Sequence, residues 1–351
     1  MVIGMKKFLL KAIIPVSIIL LVIACNIIVD PYNIFHSDNV RANGVEPNRN
    51  YVKTKHVIDN SDMYDSYVIG ASRCGYMDVE RIDNGTYYNL TYGGGNMYEF
   101  LLTLEVLLDN DVKIKNILLG LDEGSYTYRY MHDNAAGAIP YPGKSIKEKS
   151  NFYAKYYLDT FTTIRSIPIM LNVSDREANA YIANIYTTGS WCEKETVLSK
   201  ETDVYESINY ERSISDGDKE CIEDAIEDLN IFVKICNEEG IELTIYTHPL
   251  HIKNYGDVIS YGYLDFIEKL AENVEFYNFS GMNDVTAEYD NYYEWSHYTY
   301  EVTDKLIDIM YYDKLDKDLL KQGFGYYVTA DNKDDFLRIL YSQLEERTYE
   351  E

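Results

Sequence analysis

At 351 residues, 46% of them hydrophobic, the chain is long enough for one large domain or two ordinary ones and has the apolar content for a real core. A formal net charge of −26 leaves no broad Lys/Arg surface to hold phosphates, so nucleic acid is excluded as an expected partner. Tyrosine is heavily used, 36 residues, which suits either contact with sugars and proteins or a half-buried shell of amphipathic rings.

The first element is apolar. Lys6 and Lys7 precede a run from Ala12 to Val29, and roughly 20 such residues span a bilayer as a helix. Lysines before the run and Asp30 after it predict a single-pass signal anchor over residues 1–29, N-terminus in the cytoplasm and the bulk of the chain outside the cell membrane. Two alternatives stay open. One is a cleaved signal peptide. The other is a lipoprotein, because Val22-Ile23-Ala24-Cys25 looks like a bacterial lipoprotein processing site with Cys25 lipidated. The run continues through Asn26-Ile27-Ile28-Val29, which suits a spanning helix better. Residues 30–60 are polar and aperiodic, and read as a juxtamembrane linker opened by Asp30-Pro31.

An α/β domain is expected over 61–351. The short apolar strand Ser66–Ile69 ends in Gly70-Ala71-Ser72-Arg73, a small-residue turn that presents a hydroxyl. A second strand over 87–91 leads to Tyr92-Gly93-Gly94-Gly95-Asn96, and Phe100, Leu101, Leu104, Leu107 and Leu108 mark a helix over 97–108. A third, buried-type strand over 114–121 ends at Asp122-Glu123-Gly124-Ser125. The stretch 126–214 lacks long periodic runs and reads as a partly helical insertion forming a lid or one wall of a site. The pattern then returns: a helix from the capping Ser215 to the stop Gly240, a strand over 241–247, a helix over 259–272, a strand over 274–279, a helix from Thr299 and a last helix after Val328. This alternation predicts a three-layer, flavodoxin-like parallel sheet with helices on both faces.

A serine nucleophile needs a base and an orienting acid. Of the 6 histidines, His297 is best placed, with Glu294 three residues earlier to fold back onto its far ring nitrogen. His248-x-x-His251, at the end of a strand on the same edge as Ser72, fits a metal ligand pair, a substrate-cleft lining or a loop without a role. No C-x-x-C pair and no completing acid cluster accompany it, so no metal or cofactor is expected. A disulfide among Cys74, Cys192, Cys221 and Cys236 is left open, with scattered thiols the plainer reading.

Gly70-Ala71-Ser72-Arg73 after the first strand, the glycine cluster after the second and Glu294-x-x-His297 after the last resemble the SGNH/GDSL hydrolase superfamily. With Asp-Pro-Tyr after the anchor and Ser-His-Tyr near the end, the chain is similar to membrane-anchored members of bacterial cell surfaces. It resembles more distantly the D-alanine transfer protein of teichoic-acid D-alanylation and the alginate O-acetylation proteins. The resemblance implies the SGNH fold, Ser72 as nucleophile, His297 as base and Glu294 as triad acid. It implies oxyanion donors at the N–H of Ser72 and at a glycine N–H of Gly93, Gly94 or Gly95, with Gly94 favoured. Arg73, Asn96 and His248 are the further expected oxyanion or substrate contacts, His248 because it ends a strand on the same edge as Ser72. Two positions depart from the family pattern: Glu294 stands for the usual Asp, and Asp122 for a common Asn donor, which Asn96 is expected to replace. The implied function is a serine esterase or O-acyltransferase on a cell-envelope or secreted polysaccharide, with a multi-spanning membrane acyltransferase as acyl-delivering partner. The alternative is a weak or inactive glycan-binding or assembly protein.

Overall fold

The structure is a computed structural model, and it describes residues 2–41, 43–127, 136–171, 184–191, 214–294 and 296–348. Expectations that concern Cys192 and much of the 126–214 stretch lie outside the described residues.

In chain order the helices are α1 (Val2–Val29), α2 (Arg49–Asp59), α3 (Met97–Asp109), α4 (Ile146–Tyr157), α5 (Thr160–Met170), α6 (Asp216–Glu239), α7 (Ile252–Ile259), α8 (Tyr263–Asn273), α9 (Asp284–Ala287), α10 (Tyr300–Tyr312), α11 (Lys317–Lys321) and α12 (Lys333–Thr348). The strands are β1 (Ser66–Ile69), β2 (Tyr87–Asn89), β3 (Asn116–Leu121), β4 (Glu242–Thr247), β5 (Phe276–Asn278), β6 (Tyr292–Glu294), β7 (His297–Tyr298) and β8 (Tyr326–Val328). The chain divides into two compact units, one of Met1–His56 with His132–Ala183 and one of Val57–Met131 with Asn184–Glu351.

The first unit is helical. In α1 the stretch Lys11–Val29, 19 residues at a mean hydropathy of 2.9, is long and apolar enough to cross a membrane, about 28 Å at the helical rise. The helix is unbroken through Cys25, which is an exposed free thiol. Residues expected to be a linker are instead packed. The Asp30 carboxylate accepts the N–H groups of Ile34, Phe35 and His36, each at 2.8 Å. Asn48 donates to Ile139 O at 2.8 Å, and Tyr51 of α2 stacks on Phe152 of α4 at 4.9 Å between ring centroids. Polar side chains that take up backbone groups and rings that pair across 90 residues or more leave no periodic apolar signal, so the sequence reads as loose where the fold is tight.

The second unit is built on a six-stranded sheet in the order β2-β1-β3-β4-β5-β8. The first five strands run parallel, and β8 closes the β5 edge antiparallel. Side chains alternate between faces along each strand. Tyr67, Ile69, Ile117, Leu119 and Ile245 enter one core with α3, α6, α7, α8 and α12, while Val68, Leu118 and Tyr246 enter a second core with α10 and Phe324. The sheet is therefore buried on both sides, which is why its strands read as near-continuous apolar runs.

Local chemistry sets the helix ends. Ser215 and Asp218 form a reciprocal capping box at the start of α6, and Gly240 ends that helix at φ +68°. A single helix was expected over 259–272. It begins at Tyr263, after Gly262 turns at φ +97°, and a further helix, α7, precedes it. The short β6–β7 ribbon pairs Glu294 with His297.

Candidate active site

In doubly wound sheets of this order, ligands sit beyond the carboxyl ends of the strands, where the order reverses between β1 and β3. Ser72 follows β1, and Asp122 and Glu123 follow β3. Together with Arg73, Gly94, Tyr126, Asp218, Tyr261 and Ser296 they line an open cleft of about 780 Å³.

Ser72 starts a tight 3-10 turn, Ser72–Tyr76, so its N–H has no partner within that turn. The turn is tight because Cys74 packs back between β1 and β3. A Cβ on Gly70 would lie 2.3 Å from Cys74 Sγ and 2.9 Å from Gly120 O, and one on Gly120 would lie 2.4 Å from the same sulfur. Two glycines thus make the room that lets Ser72 stand at the strand end.

The three residues expected to act together are brought together. His297 Nε2 lies 2.9 Å from Ser72 Oγ. His297 Nδ1 is hydrogen-bonded to Glu294 Oε1, and the other carboxylate oxygen accepts the Ser296 N–H at 2.8 Å. The ribbon pairs Glu294 with His297, beside an irregular register between Tyr292 and Glu294, and so sets the acid next to the ring. Burial pushes the Glu294 carboxyl up, but His297, the Ser296 N–H and the charge of Arg73 outweigh it and hold it below the usual carboxylate range. Tyr76 and Trp191 flank the imidazole, with ring centroids 5.5 and 6.0 Å away. Gly94 borders the cleft at φ +70°, a backbone conformation that a side chain would strain.

The other expected contacts sit elsewhere. Asn96 caps α3: its Oδ1 accepts the Glu99 N–H at 3.1 Å, and the residue is 2% exposed. It caps the first turn of α3 and is not among the residues that line the cleft. His248 is not in the cleft. It is 0% exposed, with Nδ1 2.8 Å from the Tyr298 hydroxyl and Nε2 3.3 Å from Cys74 Sγ. Burial, reinforced by the charges of Arg73 and His297, holds its imidazole well below the usual range, so it is neutral. His251 caps α7 by accepting the Lys253 N–H at 3.3 Å. Among the described residues no group of three or more His, Cys, Asp or Glu side chains is arranged to hold a metal.

Arg73 borders the cleft but is spoken for. It reaches Asp122 Oδ2 at 2.6 Å and Glu123 Oε1 at 2.8 Å, and its Nε donates to Ser296 O at 2.9 Å. Burial alone would lower its pKa, but the two carboxylates override that and hold the guanidinium charged. Asp122, the residue that stands off the expected pattern, therefore presents a paired carboxylate, not a bare one. Burial pushes the Glu123 carboxyl up despite the guanidinium. Arg73 also ties the β1 turn to the ribbon that carries the imidazole. This tie was illegible in sequence: its partners stand 49, 50 and 223 residues away. Nothing in the sequence marks Tyr76 and Trp191 as neighbours of His297 either. One missed signal was local, since Asn96 followed by Glu99 three residues on is an N-cap pattern.

Comparison of the chain with protein-family models, curated proteins and solved structures gives no match.

Proposed function

We propose that this chain is a membrane-anchored, SGNH-type serine acyl-transfer enzyme, an esterase or O-acyltransferase that acts outside the cytoplasm on a cell-envelope or secreted polysaccharide. The observation that carries the reading is the hydrogen-bonded series Ser72 Oγ, His297 Nε2, His297 Nδ1, Glu294 Oε1 at the mouth of an open cleft. An alcohol, an imidazole and an ionised carboxylate in that order form a general-base relay. As Ser72 Oγ bonds to the acyl carbonyl carbon, its proton passes to His297 Nε2. Glu294 balances the imidazolium that results. The N–H groups of Ser72 and Gly94 receive the oxyanion. Collapse breaks the bond to the leaving group, which takes the proton from His297, and acyl-Ser72 remains. A sugar hydroxyl then gives its proton to His297 and attacks the acyl carbon, and Ser72 leaves reprotonated. With water in place of the sugar the outcome is hydrolysis.

The length and hydropathy of Lys11–Val29, the lysines before it and the unbroken helix through Cys25 support an uncleaved anchor with the N-terminus inside. With the site outside, an activated acyl group has to cross the membrane, and a multi-spanning acyltransferase fits as the supplier. The paired acids at the cleft and the net charge of −26 favour a neutral glycan over a polyanionic one.

A second reading, a glycan-binding or assembly protein without turnover, draws on Asp122 and Glu123 at the cleft and on the diversion of Asn96 to a cap. Fluorophosphonate labelling and p-nitrophenyl acetate hydrolysis by the full chain in detergent separate the two. Labelling lost in Ser72→Ala and His297→Ala supports the enzyme. A wild-type chain that neither labels nor hydrolyses, yet holds glycan equally with and without Ser72, sinks it.

A further inference from the structure

Helix α5 is amphipathic in reverse. Its protein-facing side carries hydroxyls: Thr163 Oγ1 donates to Asn26 Oδ1 of α1 at 2.6 Å, and Ser166 is 0% exposed. Its open side carries Phe161 and Ile164, 72% and 61% exposed, with Ile167 beside them, and Leu171 at its C-cap is 67% exposed. That spacing is one helical face. The helix has a single charge, Arg165, whose guanidinium lies 5.6 Å from the Phe161 ring centroid. In water such a face loses the burial energy of several large side chains, and an exposed apolar patch of this kind marks a contact surface.

Its position names the contact. Asn26 lies three residues before the end of the apolar stretch Lys11–Val29, and it also donates to Tyr157 O at 2.6 Å. At the other end of α5, Ile169 packs on Gly44, in the loop beyond α1, so closely that a Cβ there would lie 2.3 Å from its Cδ1. The helix therefore meets α1 at the outer end of the span, where Ile28 of α1 is also open, 65% exposed. A helix with an apolar face and a snorkelling arginine at that level lies in the boundary between headgroups and acyl chains.

We propose that the open face of α5 is bedded in the lipid surface beside the anchor, a second, in-plane membrane contact. The proposal rests on the reading of α1 as a spanning helix, and the test separates the two. The full chain is reconstituted in phosphatidylcholine vesicles whose acyl chains are brominated, as wild type, Leu20→Trp and Phe161→Trp. Both sites are largely exposed within the protein, so neither substitution repacks a core. The 2 native tryptophans are subtracted as background. The expected result is that bromolipid quenches the added emission of Phe161→Trp by the same fraction as that of Leu20→Trp. If Leu20→Trp is quenched while Phe161→Trp responds only to aqueous acrylamide, or to neither quencher, the face is covered by water or protein and the proposal is overturned with the anchor intact. If neither variant is quenched by bromolipid, the anchor reading falls and takes this proposal with it.

Discussion

His297 Nε2 stands 2.9 Å from Ser72 Oγ, across 225 residues of chain. The contact holds because the turn after β1 and the β6–β7 ribbon are tied to each other by Arg73, whose Nε donates to Ser296 O, one residue before the imidazole.

The proposed relay sets a graded loss on substitution. Ser72→Ala and His297→Ala should each cut ester turnover by about 10⁶-fold, and Glu294→Gln by about 10⁴-fold with its fold intact. Turnover of p-nitrophenyl acetate, with circular dichroism as the fold control, measures this. Equal activity in wild type and Glu294→Gln would show that the carboxylate has no part in the relay.

Arg73 is predicted to matter through its partners. Arg73→Met leaves Asp122 and Glu123 as uncompensated charges in a buried setting, which costs about 3–5 kcal/mol. Adding Asp122→Asn and Glu123→Gln to that variant should recover most of the loss. Urea titration of wild type, the single variant and the triple variant checks it. A triple variant no more stable than the single one would assign the cost to lost packing.

Glu294 gives stability a pH signature. Its folded carboxyl titrates below the unfolded one, so its ionised form stabilises the fold fully above the unfolded value, about 4.3 for Glu, and that contribution drains away as pH falls through the folded value. The stability gap between wild type and Glu294→Gln should therefore be widest near neutrality and narrow at lower pH. Denaturant midpoints from pH 7 to pH 3 test this; a gap that widens on acidification contradicts it.

Beneath the site, His248 and Cys74 form a closed polar pocket with Tyr246 and Tyr298. Burial pushes the Cys74 thiol up to about 12, and Cys74 is 0% exposed, so it should resist thiol reagents until the protein unfolds. Tyr298→Phe leaves His248 Nδ1 without its 2.8 Å partner, which costs about 1–3 kcal/mol. Thiol-labelling kinetics with and without denaturant, and a melting curve for Tyr298→Phe, decide the two points. Fast labelling of Cys74 in the folded chain would mean that the pocket opens.

What the sequence determined by itself is what depends on near neighbours. Near-continuous apolar runs specify strands buried on both faces. Ser215 with Asp218 and Gly240 bound α6, because a cap and a left-handed stop need only a few residues of chain. Gly70-Ala71-Ser72 marks a hydroxyl past a strand, and Glu294 three residues before His297 marks an acid within reach of a ring. What only tertiary structure decided is which partner each polar group meets. Arg73, at the cleft, met Asp122 and Glu123 as its counter-ions. His248 went from the cleft into the core, and the polar stretch 30–60 became packed. The open face of α5 is apolar because its hydroxyls found Asn26 and its own helix backbone. Periodicity and capping act over a few residues and leave their trace in the sequence. Charge pairing and burial join residues from distant elements, and no local pattern records the partner.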